Sequence, residues 1–112
     1  MRRLTTHVLD TTRGQPASDM RVALEKVDPA GQWVEVASST TNEQGRLSEP
    51  LTRDLSAGVF RLVFDTGAYF HTQAVASLFP RVTVEFQVED GSSDYHLPLL
   101  LSPYGYSTYR GS

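Results

Sequence analysis

The chain has 112 residues, ten Lys and Arg against thirteen Asp and Glu for a formal net charge of −3, no cysteine, and 39% hydrophobic residues including five Phe, five Tyr and one Trp. That length suits one domain over residues 1–112, and the charge balance supplies no basic footprint for nucleic acid or an anionic membrane. Lack of cysteine excludes a disulfide framework, cysteine-ligated zinc and thiol catalysis and fits a cytoplasmic setting; no run of about 20 apolar residues could span a bilayer, and the start Met1-Arg2-Arg3-Leu4-Thr5-Thr6-His7 turns polar too early for a signal peptide.

In chain order, the first expected strand covers residues 4–10, with His7 on the face opposite Leu4, Thr6 and Val8. The turn signal Thr12-Arg13-Gly14-Gln15-Pro16 closes it. Strands over 20–27 and 33–40 follow, joined as a hairpin through Asp28-Pro29-Ala30-Gly31, and Asn42-Glu43-Gln44-Gly45 makes the next turn. Residues 58–65 place Phe60, Leu62 and Phe64 on one face and read as a central strand. Phe70, Ala74 and Leu78 stand at i, i+4 and i+8, so a short helix is predicted over 66–77, capped by Thr66 and stopped by Pro80. Residues 81–88 alternate cleanly, with Val82, Val84, Phe86 and Val88 on one side. Glu89-Asp90-Gly91-Ser92-Ser93-Asp94 is a loop. Beyond it His96 lies opposite Tyr95, Leu97 and Leu99, and the apolar, aromatic run over 97–108 predicts that the chain stays anchored to its last residues, Tyr109-Arg110-Gly111-Ser112. Short strands with regular turn signals predict an all-β sandwich or barrel. A domain this small leaves much surface exposed, so self-association is expected.

Histidine is the side chain that titrates near neutral pH unaided. Of the three, His7 and His96 project from the outer faces of their strands, where a substrate or partner could cover them, while His71 on the helix reads as an ordinary surface group. Two histidines without a third ligand or an HExxH pair argue against zinc. No GxSxG elbow positions a serine, and no glycine-rich loop cradles phosphate. Water is then the expected nucleophile, polarised by a histidine, with Arg46 and Arg110 as the forked donors for an anionic or carbonyl-rich substrate.

Taken together, Leu4-Thr5-Thr6-His7-Val8-Leu9-Asp10, Gly45-Arg46-Leu47, His96-Leu97-Pro98-Leu99-Leu100-Leu101-Ser102-Pro103 and Tyr109-Arg110-Gly111-Ser112 resemble the transthyretin-related 5-hydroxyisourate hydrolases over nearly the whole chain. The resemblance implies a transthyretin-like β-sandwich of seven or eight strands with one short helix, assembled as a homotetramer, a dimer of dimers. It implies hydrolysis of the lactam of 5-hydroxyisourate without a cofactor, with His7, Arg46 and His96 catalytic and Arg46, Tyr109, Arg110, Gly111 and Ser112 binding substrate in a channel between dimers. The alternative is a transthyretin-type carrier holding a small ligand in the same channel, against which the polar His7, His96, Arg46 and Arg110 argue. In the resembling family the ending Tyr-Arg-Gly-Ser marks the hydrolases.

Overall fold

Period-two alternation governs which side chains are buried. The computed structural model describes residues 2–112, and its elements run β1 (Leu4–Thr5), β2 (Val8–Asp10), β3 (Gln15–Pro16), β4 (Arg21–Val27), β5 (Trp33–Thr40), β6 (Gly58–Phe64), α1 (Thr66–His71), β7 (Val82–Val88), β8 (Tyr95–His96), β9 (Leu99–Ser102) and β10 (Gly105–Thr108). One sheet has the order β10-β9-β2-β3, the other β5-β4-β6-β7, and β1 pairs with β8. With β1 and β2 counted as one strand and the two-residue β3 set aside, eight strands form the sandwich.

The expected strand over 4–10 divides at Thr6 and His7. The cause lies on its neighbour. Residues 4–10 run parallel to 95–101, with Leu4 opposite Tyr95, Thr5 opposite His96 and Val8 opposite Leu99. Between these stretches sits Pro98, which has no N–H to give to a ladder. Hydrogen bonds from Leu97 N–H to the Thr5 carbonyl (3.0 Å) and from Leu99 N–H to the His7 carbonyl (2.9 Å) carry the pairing past it. The other sheet is antiparallel throughout, and β6 lies between β4 and β7, as the phenylalanine spacing required. A bulge after Leu24 puts the exposed Val36 out of register on β5.

The two inner faces meet in one core. Leu4 from the β1–β8 pair and Val8, Leu99 and Leu101 from the sheet that continues it face Val22, Leu24, Leu62, Phe64, Val82 and Val88 from the other sheet, all 0–2% exposed. Each such side chain contributes about 1.5–3 kcal/mol on burial, and this sets the faces from which Thr5, His7 and His96 must point outward.

Two details of the helix differ from expectation. It ends at His71 rather than near Ser77 because Ala74 enters the left-handed region (φ 57°), where the Ala74 and Val75 N–H groups bond back to the His71 and Phe70 carbonyls. Leu78 is therefore exposed, at 62%, instead of lying under Phe70. Nor does Thr66 cap the start: Asp65 holds that position without a side-chain cap, and the Thr66 hydroxyl is buried without a partner.

A polar link ties the helix to β2. Buried Asp10 accepts hydrogen bonds from the Thr12 and Arg13 N–H groups, both 3.1 Å, and from the Tyr69 hydroxyl at 2.8 Å. Burial and the Asp10 carboxylate help hold the Tyr69 phenol above its ordinary pKa, so it stays a donor. Tyr69→Phe, which removes that donor from a buried carboxylate, is expected to cost about 1–3 kcal/mol in denaturant-induced unfolding; an unchanged midpoint would show that the link is dispensable.

Candidate active site

Thr5 and His7 are two residues apart and so share the outward face of the β1–β2 segment. Pairing supplies the rest. His96 stands opposite Thr5, while isolated bridges set Arg46 opposite His7 and Gly111 opposite His96. Five positions from four segments of the chain thereby form a patch on the outer surface of one sheet. An open cleft of about 290 Å³ is lined by Arg3, Thr5, Arg46, Asp94, His96, Gly111 and Ser112.

Each imidazole is held through one nitrogen. His7 Nε2 lies 2.8 Å from the Gln44 carbonyl oxygen. A carbonyl can only accept, so this nitrogen carries the proton and Nδ1 keeps the lone pair in the neutral ring. His96 Nδ1 lies 2.8 Å from the Thr5 hydroxyl. Burial, followed by the positive charge of Arg46, pushes the pKa of His7 below its ordinary 6.5, with the Gln44 carbonyl opposing. His96 is lowered by burial, then by Arg46 and His7, with Thr5 opposing. Both shifts favour the neutral ring at pH 7.

The end of the chain is anchored, as its composition required. Gly111 N–H donates to the His96 carbonyl at 2.7 Å, and a Cβ on Gly111 would lie 2.6 Å from His96 Cδ2. Only glycine lets the backbone pass this close to the imidazole. Arg110 goes elsewhere: its guanidinium lies 3.9 Å from the centroid of the Tyr95 ring and donates to the Asp94 carbonyl at 3.1 Å. It lines a separate cleft with Phe86, Gln87, Glu89, Tyr95 and Leu97. Tyr109 is 55% exposed and lines neither cleft. His71 is exposed on the helix.

Sequence reasoning passed over Thr5, Gln44, Arg3 and Asp94. Thr5 carried a usable signal, since it shares the outward face of His7. Gln44 acts through its backbone carbonyl, which no side-chain pattern reveals. Asp94 is engaged by the Arg3 backbone N–H and guanidinium, which lower its carboxyl pKa and keep it ionised. It is thereby a poor base. Among the described residues no group of three or more His, Cys, Asp or Glu is placed to hold a metal ion.

Residues 4–111 match the HIUase/Transthyretin family. A 5-hydroxyisourate hydrolase of Mus musculus is 42% identical over 111 residues, covering 97% of this chain and 94% of the relative. The solved 5-hydroxyisourate hydrolase of Klebsiella pneumoniae superposes with a TM-score of 0.86 at 37% identity, over 98% of this chain and 99% of that one. Sea bream transthyretin in complex with thyroxine gives 0.91 at 31% identity, over 97% and 94%. A solved (S)-allantoin synthase gives 0.89 at 34% identity; the match covers 98% of this chain and 43% of that longer one.

His96 lines the cleft and His7 lies beside it without lining it, and the electrostatics of the patch they share lead to a direct measurement. Followed by NMR, His7 and His96 should both titrate below 6.5, and Arg46→Gln should raise both values, because the cation that disfavours each imidazolium is gone. The unfolded chain takes up these protons at the ordinary pKa while the folded chain does not. Stability should therefore fall as pH drops from the ordinary value through the folded ones. Values at or above 6.5 in the unsubstituted protein would contradict this arrangement.

Proposed function

The chain belongs to the HIUase/Transthyretin family, and from that membership we propose that it hydrolyses 5-hydroxyisourate to 2-oxo-4-hydroxy-4-carboxy-5-ureidoimidazoline. The observation that carries this reading is the gathering of two imidazoles, His7 and His96, around the exposed Arg46, with burial and that arginine both favouring the neutral rings. Backbone similarity does not separate hydrolase from carrier, since the transthyretin superposes as well as the hydrolase does. Side chains do. A carrier gains nothing from basic rings poised to exchange protons, whereas a lactam hydrolase needs them.

The chemistry follows from these groups. A water oxygen bonds to the lactam carbonyl carbon as a neutral imidazole takes its proton, and the carbonyl oxygen becomes an oxyanion. Arg46, always charged and presenting a fork of donors, stabilises that oxygen. Collapse breaks the carbon–nitrogen bond, and the proton is returned to the departing ring nitrogen. Gly111 and Ser112 close one side of the cleft against His96, and Arg46 also orients the substrate. Tyr109 and Arg110 complete the terminal binding segment, Arg110 by fixing the approach of the chain against Tyr95.

The same reading includes a homotetramer, a dimer of dimers, in which the outward patch faces a second subunit and the exposed Tyr109 reaches a shared channel. This agrees with the openness of the cleft in one subunit. It also includes action of residues 1–112 as one catalytic domain, located in the cytoplasm. No helix among the described residues is long and apolar enough to cross a membrane.

The direct test uses 5-hydroxyisourate made freshly from urate, followed by its ultraviolet decay with and without pure protein, because the compound also decays unaided. Acceleration is expected, and its absence would sink the hydrolase reading. His7→Ala and His96→Ala should each lower kcat roughly 10²–10⁴-fold without loss of the folded state. Gly111→Ala forces a methyl against the His96 ring and should lower kcat/KM by about 10²-fold. Full activity in that variant would place the tail outside the site.

A further inference from the structure

We propose that Asn42 is the positioning residue of this site: through the turn 42–46 its side chain holds Arg46 in place and fixes the His7 imidazole in a single tautomer. Asn42 Oδ1 accepts two backbone N–H groups, from Gln44 at 2.9 Å and from Arg46 at 3.1 Å. Its own backbone closes the same turn, donating from N–H to the Arg46 carbonyl (2.7 Å) and accepting from Gly45 N–H (2.9 Å). One residue thus makes four hydrogen bonds to a turn that carries one candidate catalytic group, Arg46, and the carbonyl that binds another, His7.

The turn cannot move freely against the sheet. Val8 N–H donates to the Gly45 carbonyl at 2.8 Å. Gly45 itself is buried at φ 73°, a conformation suited to glycine, and a Cβ there would fall on the Val8 carbonyl oxygen. Gly45 N–H on the Asn42 carbonyl holds the peptide plane between residues 44 and 45, and the two bonds of Asn42 Oδ1 fix the peptides on either side of it, so that Asn42 as a whole positions the Gln44 carbonyl oxygen. That oxygen can only accept, so its place determines which nitrogen of His7 bears the proton. Asn42 itself is exposed and does not line the cleft, so it acts through its neighbours and touches no substrate.

An aspartate offers the same short acceptor; an alanine offers none. With the acceptor removed, the Gln44 carbonyl drifts, His7 exchanges between its two neutral tautomers, and Arg46 loses its register beside it.

The kinetic part of this inference rests on the hydrolase reading; the structural part does not. The experiment is long-range ¹H–¹⁵N NMR of the full chain at a pH above both imidazole pKa values, where three histidines make assignment simple. Unsubstituted protein should show His7 protonated at Nε2 and unprotonated at Nδ1. Asn42→Ala should move both His7 nitrogen shifts toward averaged values and lower kcat for 5-hydroxyisourate by roughly tenfold or more. Asn42→Asp should keep the His7 pattern and restore most of kcat. Asn42→Ser, with a shorter acceptor, should fall between them and serves if the alanine variant does not fold. A folded Asn42→Ala protein with unchanged His7 shifts overturns the proposal whatever the activity. If the shifts respond as expected while no variant, nor the unsubstituted protein, accelerates 5-hydroxyisourate decay, the hydrolase reading fails and the positioning role stands.

Discussion

The pairing of residues 4–10 with residues 95–101 joins the two ends of the chain across a sequence separation of 91, and the candidate site depends on it. Leu4 meets Tyr95, Thr5 meets His96 and Val8 meets Leu99, so the inward residues of both strands fill the core while the outward ones form a polar row. Parallel pairs this distant in sequence carry a large closure cost before any contact repays it. Here the repayment comes from Leu4, Val8, Leu99 and Leu101, all essentially without exposure. A one-residue slip would bury His7 and His96 and expose these leucines and the valine. The register that stabilises the fold is thus also the register that creates the site.

Arg46 brings a second constraint. Partial burial disfavours the charged forms of both imidazoles, and the guanidinium beside them adds to the effect. The arrangement keeps both rings in the form that can accept a proton at neutral pH, while the arginine faces the place where negative charge would develop. Carboxylate competition is restrained as well, since Asp94 at the rim is engaged by Arg3. Burial, and after it repulsion among the cationic forms, favours the neutral imidazoles.

The fold alone does not choose between catalysis and carriage. The backbones of a 5-hydroxyisourate hydrolase and of a thyroxine-bound transthyretin superpose on this chain to a similar degree, which illustrates that function resides in a few side chains set on a shared frame. The frame contributes rigidity: His7, His96 and Arg46 are placed by strand pairing and by a short closed turn, where small displacements are opposed by several hydrogen bonds at once.

Much of this was legible in the sequence, because alternation is a local property. Val82, Val84, Phe86 and Val88 announced a strand, Phe60, Leu62 and Phe64 a central one, and the outward phase of His7 and His96 followed from their own neighbours. The helix is shorter than the spacing of Phe70, Ala74 and Leu78 suggests, because that spacing is blind to the left-handed turn at Ala74. Residue types likewise nominated Arg46 and Arg110 equally; the structure put Arg46 beside His7 and Arg110 over Tyr95, on the other side of the strand. Sequence determined the strands, their faces and the chemical repertoire, since these depend on side chains a few residues apart. Only the tertiary structure decided which groups meet, that Thr5 and the Gln44 carbonyl hold the two imidazoles, and that Gly111 must lack a side chain, because each depends on backbone from distant segments being brought within a few ångströms.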